Sequence, residues 1–294
     1  MTILDDYIIL ASNVKSYGES NTRSQFRTRL ARRREFPSDE DWRVAVTEIT
    51  YKQSWYNVKQ DCQIRLYTEY GTEVEYERYS IPKMMLNAGY YYNINDLVSR
   101  INAHMQELGK YISDRPKISC NHNTQIISIE PGFDNVGIKF IPIFTREIEE
   151  ILGLVDKHNN TLFERMQMQL HTVVDNDSAI IIAGTQAMFD NYRIYGSRSA
   201  DISSGFNNIY VYSNIVQQSD VGDAFAPILT TFPNKQAKEG WGYSVHHEPK
   251  NLVYRPLQTK FFDTIQIDIT DDSGELIDFK LGNVVLKLHF LKHE

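Results

Sequence analysis

The feature that most constrains the fold of this chain is a strictly alternating segment near its C-terminus. In residues 264–270, Thr-Ile-Gln-Ile-Asp-Ile-Thr, an isoleucine occupies every second position. Because side chains two residues apart point to the same face of a β-strand, this period predicts a strand with one buried face. Residues 284–290 repeat the period with Val, Leu, Leu and Phe, and residues 271–275 between the two segments predict a turn. We therefore expect a C-terminal pair or trio of antiparallel strands in a β-rich structural protein.

The bulk composition of the 294 residues restricts the class of protein. With 41% hydrophobic and 23% charged residues, the chain has the composition of an ordinary soluble protein. We expect no membrane span, because no run approaches the roughly 18 apolar residues that crossing a bilayer requires. The first residues lack the basic and apolar regions of a secretory signal. Cys62 and Cys120 are too few for a disulfide framework and lack the clustering of a zinc site, so we expect two free thiols.

One segment departs from the acidic balance of the chain, whose net charge is −7. Phosphate binding requires a basic face, so this charge argues against nucleic acid binding over the whole surface. The exception, which we call the arginine cluster, consists of Arg27, Arg29, Arg32, Arg33 and Arg34. Two interpretations stay open. The cluster is a patch facing nucleic acid or an acidic partner, or it is a solvated strand edge whose arginines pair with the acidic turn at 37–41.

The period of the apolar residues changes within the chain and suggests an insertion. Residues 93–108 have apolar side chains three and four apart, which predicts a helix capped by Asn93 or Asn95. Thr145 is positioned to cap a second, shorter helix. We therefore predict an inserted α+β subdomain over 84–157.

The segments on either side of this insertion, 1–83 and 158–294, have the pattern of β-strands, so the chain is expected to be mainly β. The strand that begins at Trp42 needs a bulge near Thr47 and Glu48 to keep its apolar side chains on one face. Residues 185–206, rich in Ser, Gly, Tyr and Asp, are expected to form a surface loop.

No sequence motif for catalysis is present. The chain has no phosphate-binding loop, dinucleotide fingerprint, nucleophile elbow or zinc-protease helix. The sequence His246-His247-Glu248 offers metal-ligand types, but adjacent residues on a strand point to opposite faces and no third spaced ligand is nearby. Asp271, Asp272 and Glu275 lack the spacing of a calcium loop. We expect no catalytic, cofactor or metal site, and no enzyme activity.

Several segments together resemble the minor capsid, or penton, proteins of Polinton/Maverick elements and the related adintoviruses. The matching segments run in order from about residue 42 to residue 291. They are WRVAVTEITY at 42–51 with SWYNV at 54–58, EEILGL at 149–154, IYVYSNIV at 209–216 with VGD at 221–223 and PIL at 227–229, and FDTIQIDI at 262–269 with DSGE at 272–275, Phe279, Gly282 and LHF at 288–290. The chain departs from the family pattern at Leu154, where an aromatic residue is usual, and at 27–34, where the arginine cluster replaces a more apolar segment.

The resemblance implies a single jelly-roll sandwich carrying the inserted subdomain. It also implies a structural virion protein that forms homopentamers at the five-fold vertices of an icosahedral capsid, beside a double-jelly-roll major capsid protein, with assembly inside the host cell. It implies no catalytic residue. A ring of identical subunits needs two different complementary patches on each copy. The tyrosine-rich segments are our candidates for such interfaces, namely Tyr90, Tyr91, Tyr92, Tyr192 and Tyr195.

An alternative function is a receptor-binding or glycan-binding spike module on the virion surface. The inserted subdomain and the aromatic loops suggest it. Spike modules usually form trimers, so the oligomeric state distinguishes this function from that of a penton.

Overall fold

A computed structural model describes residues 5–14, 21–68, 73–74, 83–107, 114–133, 139–165, 189–190, 193–203, 207–234 and 240–293. The strands are β1 (Asp5–Ala11), β2 (Gln25–Glu35), β3 (Asp41–Lys52), β4 (Cys62–Thr68), β5 (Met84–Leu86), β6 (Lys117–Cys120), β7 (Ile127–Glu130), β8 (Gly132–Phe133), β9 (Lys139–Ile143), β10 (Phe189–Asp190), β11 (Arg193–Tyr195), β12 (Asn208–Ser213), β13 (Ser219–Val221), β14 (Ala224–Ala226), β15 (Ile228–Pro233), β16 (Ser244–His247), β17 (Arg255–Pro256), β18 (Phe261–Thr270) and β19 (Val285–His293). The helices are α1 (Ile94–Glu107) and α2 (Arg146–Ile151).

The chain divides into two compact units. The first consists of Met1–Trp55 together with Gly205–Glu294, and the second is Tyr56–Ser204. The second unit is therefore inserted into the first between β3 and β12. It contains the predicted subdomain, 84–157, and extends beyond it at both ends, because β4 pairs with β5 and β9, and β11 pairs with β7.

The first unit has the strand order of a jelly roll. One sheet has the order β1-β19-β3-β16, with β17 also paired to β3, and the other has the order β15-β12-β18-β2. All of these pairs are antiparallel. The eight main strands of the unit, in chain order, are β1, β2, β3, β12, β15, β16, β18 and β19. Numbered 1 to 8 in this order, they read 1-8-3-6 in the first sheet and 5-4-7-2 in the second, which is the double Greek key of a jelly roll. The prediction of a mainly β chain built on a single jelly roll is confirmed.

The two C-terminal strands provide much of the core of this unit. Ile265, Ile267 and Ile269 of β18 are fully buried, and so are Leu288 and Phe290 of β19, as the alternating pattern predicts. The two strands do not pair with each other, however, which corrects the expected C-terminal pair. β18 lies between β12 and β2, whereas β19 lies between β1 and β3. The 14 residues between them carry the chain from one sheet to the other, so their side chains meet in one core.

The predicted bulge in β3 is confirmed. Lys287 of β19 pairs with Glu48 and Leu288 pairs with Val46, so Thr47 is the extra residue of β3. Val46 and Ile49, on either side of the bulge, are both buried. An extra residue reverses the direction of the side chains that follow it, which keeps both halves of this strand facing the core.

The second unit contains α1 and α2. The buried residues of α1 are those of its apolar stripe, Ile94, Leu97, Val98, Ile101 and Met105. The side chain of Asn93 accepts a hydrogen bond from the Asp96 backbone N–H at 3.0 Å, so Asn93 rather than Asn95 caps α1. Within the described ranges, no helix has the length and apolarity needed to span a membrane.

Two other expectations for this unit were wrong. Thr145 precedes α2 with extended backbone angles, but its side chain makes no capping hydrogen bond. The segment 185–206, expected to be a loop, contains β10 and β11, and β11 extends a sheet through its pairing with β7. The composition of this segment predicted a loop, but a strand as short as β11 is formed by its pairing with a distant strand rather than by the composition of its own residues.

Candidate interaction surfaces

The arginine cluster lies on β2, which is an edge strand of its sheet. Phe26 and Thr28 point into the core, so Arg27 and Arg29 point outward from the sheet. The Arg27 Nε atom donates a hydrogen bond to Gln266 Oε1 at 2.8 Å. The outer face of this sheet therefore carries positive charge at the β2 edge.

The pairing of β2 with β18 is interrupted by an irregular bulge within the cluster. Arg29 pairs with Thr264 and Arg34 pairs with Phe262, so four residues of β2 lie opposite one residue of β18. The bulged segment includes Arg32 and Arg33, both exposed. The Arg33 guanidinium carbon lies 3.4 Å from the ring centroid of Phe261, whose own surface is 45% exposed. The cluster is thus a combined aromatic and cationic surface.

The arginine cluster lies on an exposed edge strand, as the second interpretation expects, but the partners that the described structure gives its arginines lie outside the acidic turn. Arg34 instead forms an ion pair with Asp6 at 3.1 Å. In the turn, Glu40 accepts hydrogen bonds from Lys292 and the Trp42 indole, and Asp41 pairs with Arg43. Among the residues that the structure describes, Arg29 and Arg32 have no acidic side chain within 4.0 Å.

The tyrosines proposed for interfaces lie in different environments. Tyr92 on the loop before α1 is 57% exposed, and Tyr195 on β11 is 47% exposed. Tyr90 is half-buried, and this burial raises its pKa. Tyr91 belongs to the core of the second unit, where its hydroxyl donates to the Asn87 carbonyl at 2.8 Å, so it offers little surface to a partner. Tyr192 lies outside the described residues.

The histidines are held by neighbouring side chains. His246 contacts Thr50 Oγ1 through Nδ1 at 2.9 Å and Glu248 Oε1 through Nε2 at 3.0 Å, while His247 stacks on Phe232. No group of three or more His, Cys, Asp or Glu side chains suited to a metal occurs in the described part of the chain.

His289 of β19 is buried between two tyrosines. It stacks on Tyr7 with ring centroids 4.4 Å apart, and its Nδ1 atom lies 2.7 Å from the Tyr254 hydroxyl. The alternation of residues 284–290 places this side chain on the face opposite Leu288 and Phe290, where the two tyrosine rings cover it. Its contacts are those of a structural residue.

Glu149 on α2 is a fully buried carboxyl group in the second unit. Its Oε2 atom accepts a hydrogen bond from the Leu162 backbone N–H at 2.6 Å. Burial raises the pKa of Glu149 to about 7, an effect opposed by backbone N–H donors and by Arg165. The sequence alone does not single out this residue, because EEILGL at 149–154 gives no sign of which glutamate faces inward.

The hairpin of β13 and β14 is a second surface feature that was not predicted from the sequence. Its Val-Gly-Asp-Ala sequence was a usable signal, because glycine at the first of two central positions favours a tight hairpin turn. In this turn Gly222 has a φ of 62°. Phe225 on β14 is 65% exposed.

No family model matches this chain, and neither does any curated protein. Among solved structures, it is similar to the mavirus penton protein, with 16% sequence identity and a TM-score of 0.46 over 98% of this chain and 100% of that one. It is also similar to a chain of the Sputnik virophage, solved by cryo-EM at 3.5 Å resolution, with 12% identity and a TM-score of 0.45 over 98% of both chains.

Proposed function

We propose that this chain is a penton, a minor capsid protein that forms homopentamers at the five-fold vertices of an icosahedral virion. The observation that carries the proposal is the jelly-roll strand order of the first unit, an architecture common among viral capsid proteins. Because one fold serves many functions, the strand order needs a second criterion. The penton-like sequence motifs supply it.

Those motifs lie on the elements that build the fold. Residues 42–51 form most of β3, residues 262–269 lie in β18, and residues 288–290 lie in β19. β3 and β19 are adjacent in one sheet, and β18 is a central strand of the other. The similarity therefore concerns residues that determine the core, which supports a common architecture rather than a chance match of surface loops.

A subunit of a five-fold ring contacts its two neighbours through two different surfaces. The arginine cluster in the first unit is our first candidate for such a surface, as a site for an acidic partner or for nucleic acid. Tyr92 and Tyr195, both exposed in the second unit, are further candidates. The remaining partner in this proposal is a double-jelly-roll major capsid protein, and the protein is located in the virion after assembly inside the host cell.

Native mass spectrometry of the purified full chain tests the proposal. We expect a species of five times the 34.2 kDa monomer mass, formed without a cofactor. A trimer would instead favour the receptor-binding or glycan-binding spike, and a monomer at all concentrations up to about 100 μM would contradict both, since stable interfaces have micromolar or better affinities. In virus particles, cryo-EM density for this chain anywhere other than the vertices would refute the penton assignment.

A further inference from the structure

The hairpin of β13 and β14 presents an aromatic ring beside two acidic side chains. Asp220 pairs directly with Phe225 across the hairpin, so both side chains point to the same face. Asp223 occupies the turn between the strands. Asp220, Asp223 and Phe225 are all exposed, and an exposed phenylalanine on a short hairpin has its apolar surface in water. A partner that covers this ring would remove its apolar surface from water.

The arginine cluster has the complementary properties. It presents exposed positive charge at Arg29, Arg32 and Arg33, beside the half-exposed ring of Phe261. A surface with an aromatic ring beside carboxylates is complementary to one with an aromatic ring beside guanidinium groups. Contact between the rings buries apolar area, and the opposite charges determine the orientation of the two surfaces. Both surfaces belong to the first unit.

The two surfaces lie toward opposite edges of the same sheet. The strand order is β15-β12-β18-β2, and the arginine cluster occupies β2 at one edge. The hairpin lies in the connection between β12 and β15, the two strands at the other edge. Different, complementary surfaces on opposite sides of a subunit produce head-to-tail contacts, which close into a ring when the rotation between neighbours is right.

We propose that the hairpin of one copy docks on the arginine cluster and Phe261 of the next copy, with Phe225 against Phe261 and with Asp220 and Asp223 against Arg32 and Arg33. This contact rests on the homopentamer proposed above and identifies the surfaces that form it. The partner is a second copy of this chain.

Charge favours this partner over nucleic acid at the same surface. Arg34 is already paired with the Asp6 carboxylate, and the Arg27 guanidinium, which keeps its charge, is held by a hydrogen bond to Gln266. The exposed acidic side chains of Glu35 and Asp263 flank the cluster on the paired strands. Nucleic acid binding depends on the number of phosphates that basic side chains neutralise, and the remaining arginines provide a small number. They are well matched to a hairpin with two carboxylates.

Charge reversal on each side, separately and together, tests the contact. The first variant carries Arg32→Glu and Arg33→Glu, the second carries Asp220→Lys and Asp223→Lys, and the third carries all four changes. Sedimentation velocity of the full chain measures the concentration at half assembly. We expect about a tenfold or greater increase for the first and second variants, since like charges then face each other, and recovery to within about threefold of the wild type for the third.

Two further variants separate this contact from general effects. Lys250→Glu changes an exposed charge outside both surfaces and should assemble as the wild type does. Phe225→Ala removes an exposed ring, so it should weaken assembly and leave the circular dichroism spectrum of the chain unchanged.

The outcomes distinguish failure of the contact from failure of the proposed function. If the wild type is a pentamer and the first two variants assemble equally well, or if the third variant does not recover, the contact is wrong and the penton proposal stands. If the first variant assembles normally but loses binding of a single-stranded oligonucleotide, the cluster is a nucleic acid surface and the contact is also wrong. If the wild type forms no pentamer, the proposed function fails and the contact fails with it.

Discussion

Replacing Glu149 with glutamine should remove a pH-dependent loss of stability from the second unit. The Glu149 carboxyl group is fully buried on α2, and its Oε2 atom accepts a hydrogen bond from the Leu162 N–H at 2.6 Å. Its Oε1 atom has no hydrogen-bond partner in the described structure. Burial in this site raises the pKa of Glu149 from its ordinary value of 4.5 to about 7. The folded chain therefore keeps the Glu149 proton at pH values where the unfolded chain has lost it.

The sign and size of the effect follow from this difference in pKa. Below pH 4.5 both states are protonated and Glu149 has no effect on the pH dependence of stability. Between pH 4.5 and about 7 only the folded state holds the proton, so the free energy of unfolding decreases as the pH rises. At about 1.4 kcal/mol for each unit of pKa difference, the loss between pH 5 and pH 8 is about 2.5 kcal/mol.

The positions of helices and tryptophans allow each unit to be followed separately. The helices α1 and α2 lie in the second unit, so circular dichroism at 222 nm during urea unfolding reports mainly on that unit. Trp42, Trp55 and Trp241 all lie in the first unit, so tryptophan fluorescence reports on it. We expect Glu149→Gln to remove the loss of about 2.5 kcal/mol from the dichroism transition and to leave the fluorescence transition unchanged.

A matched control is Glu150→Gln, the next residue on the same helix. Glu150 is exposed and forms an ion pair with Arg146 one turn earlier at 3.1 Å, so this variant should keep the pH dependence of the wild type. Equal losses of unfolding free energy between pH 5 and pH 8 in the wild type and Glu149→Gln would show that the Glu149 carboxyl is not the cause. Removal of the loss by Glu150→Gln instead would show the same.

Two other predictions concern the backbone of the second unit. Gly153→Ala should destabilise this unit by more than about 2 kcal/mol, because Gly153 has a φ of 68° and an added Cβ would lie 2.3 Å from the Arg198 carbonyl oxygen. The control Gly274→Ala, with a φ of 82° and open space around the Cβ, should cost the first unit only about 1 kcal/mol. Equal losses of unfolding free energy for the two variants in urea would contradict this prediction. Asn57→Ala should lower the free energy of unfolding in the dichroism transition by about 2 kcal/mol, because the Asn57 side chain donates to the Tyr91 carbonyl at 2.8 Å and accepts from the Tyr91 N–H at 2.9 Å. A loss below about 0.5 kcal/mol would show that water replaces these two hydrogen bonds.

Local patterns predicted the elements of this fold well. The isoleucines of β18, the bulge at Thr47 in β3 and the apolar stripe of α1 all depend on relations between residues within one or two turns or pleats. The turn at 271–275 is similar, since the Asp271 side chain accepts hydrogen bonds from the backbone N–H groups of Ser273 and Glu275. Such relations are visible in one stretch of sequence because the period of a strand or helix is a local property.

The candidate surfaces were only partly predictable. The arginine cluster was visible as composition, but its bulge depends on the pairing of β2 with β18, more than 200 residues away. The role of Phe261 beside Arg33 depends on the same pairing. Tyr91 was expected at an interface and lies in the core. The sequence could not distinguish it from Tyr90 and Tyr92, because the three side chains are identical and differ only in what packs against them.

The order of side chains along this chain therefore decided which segments become strands and which face of each is apolar. Tertiary structure decided which strands are neighbours: β18 and β19 follow each other in sequence with almost the same pattern, yet they lie in opposite sheets of the sandwich. An alternating pattern shows that one face of a strand is buried, but it does not show which other element covers that face. The choice of neighbouring strands therefore depends on contacts between distant residues. The same dependence brings Phe261 beside the arginines and buries Glu149 while leaving Glu150 in water.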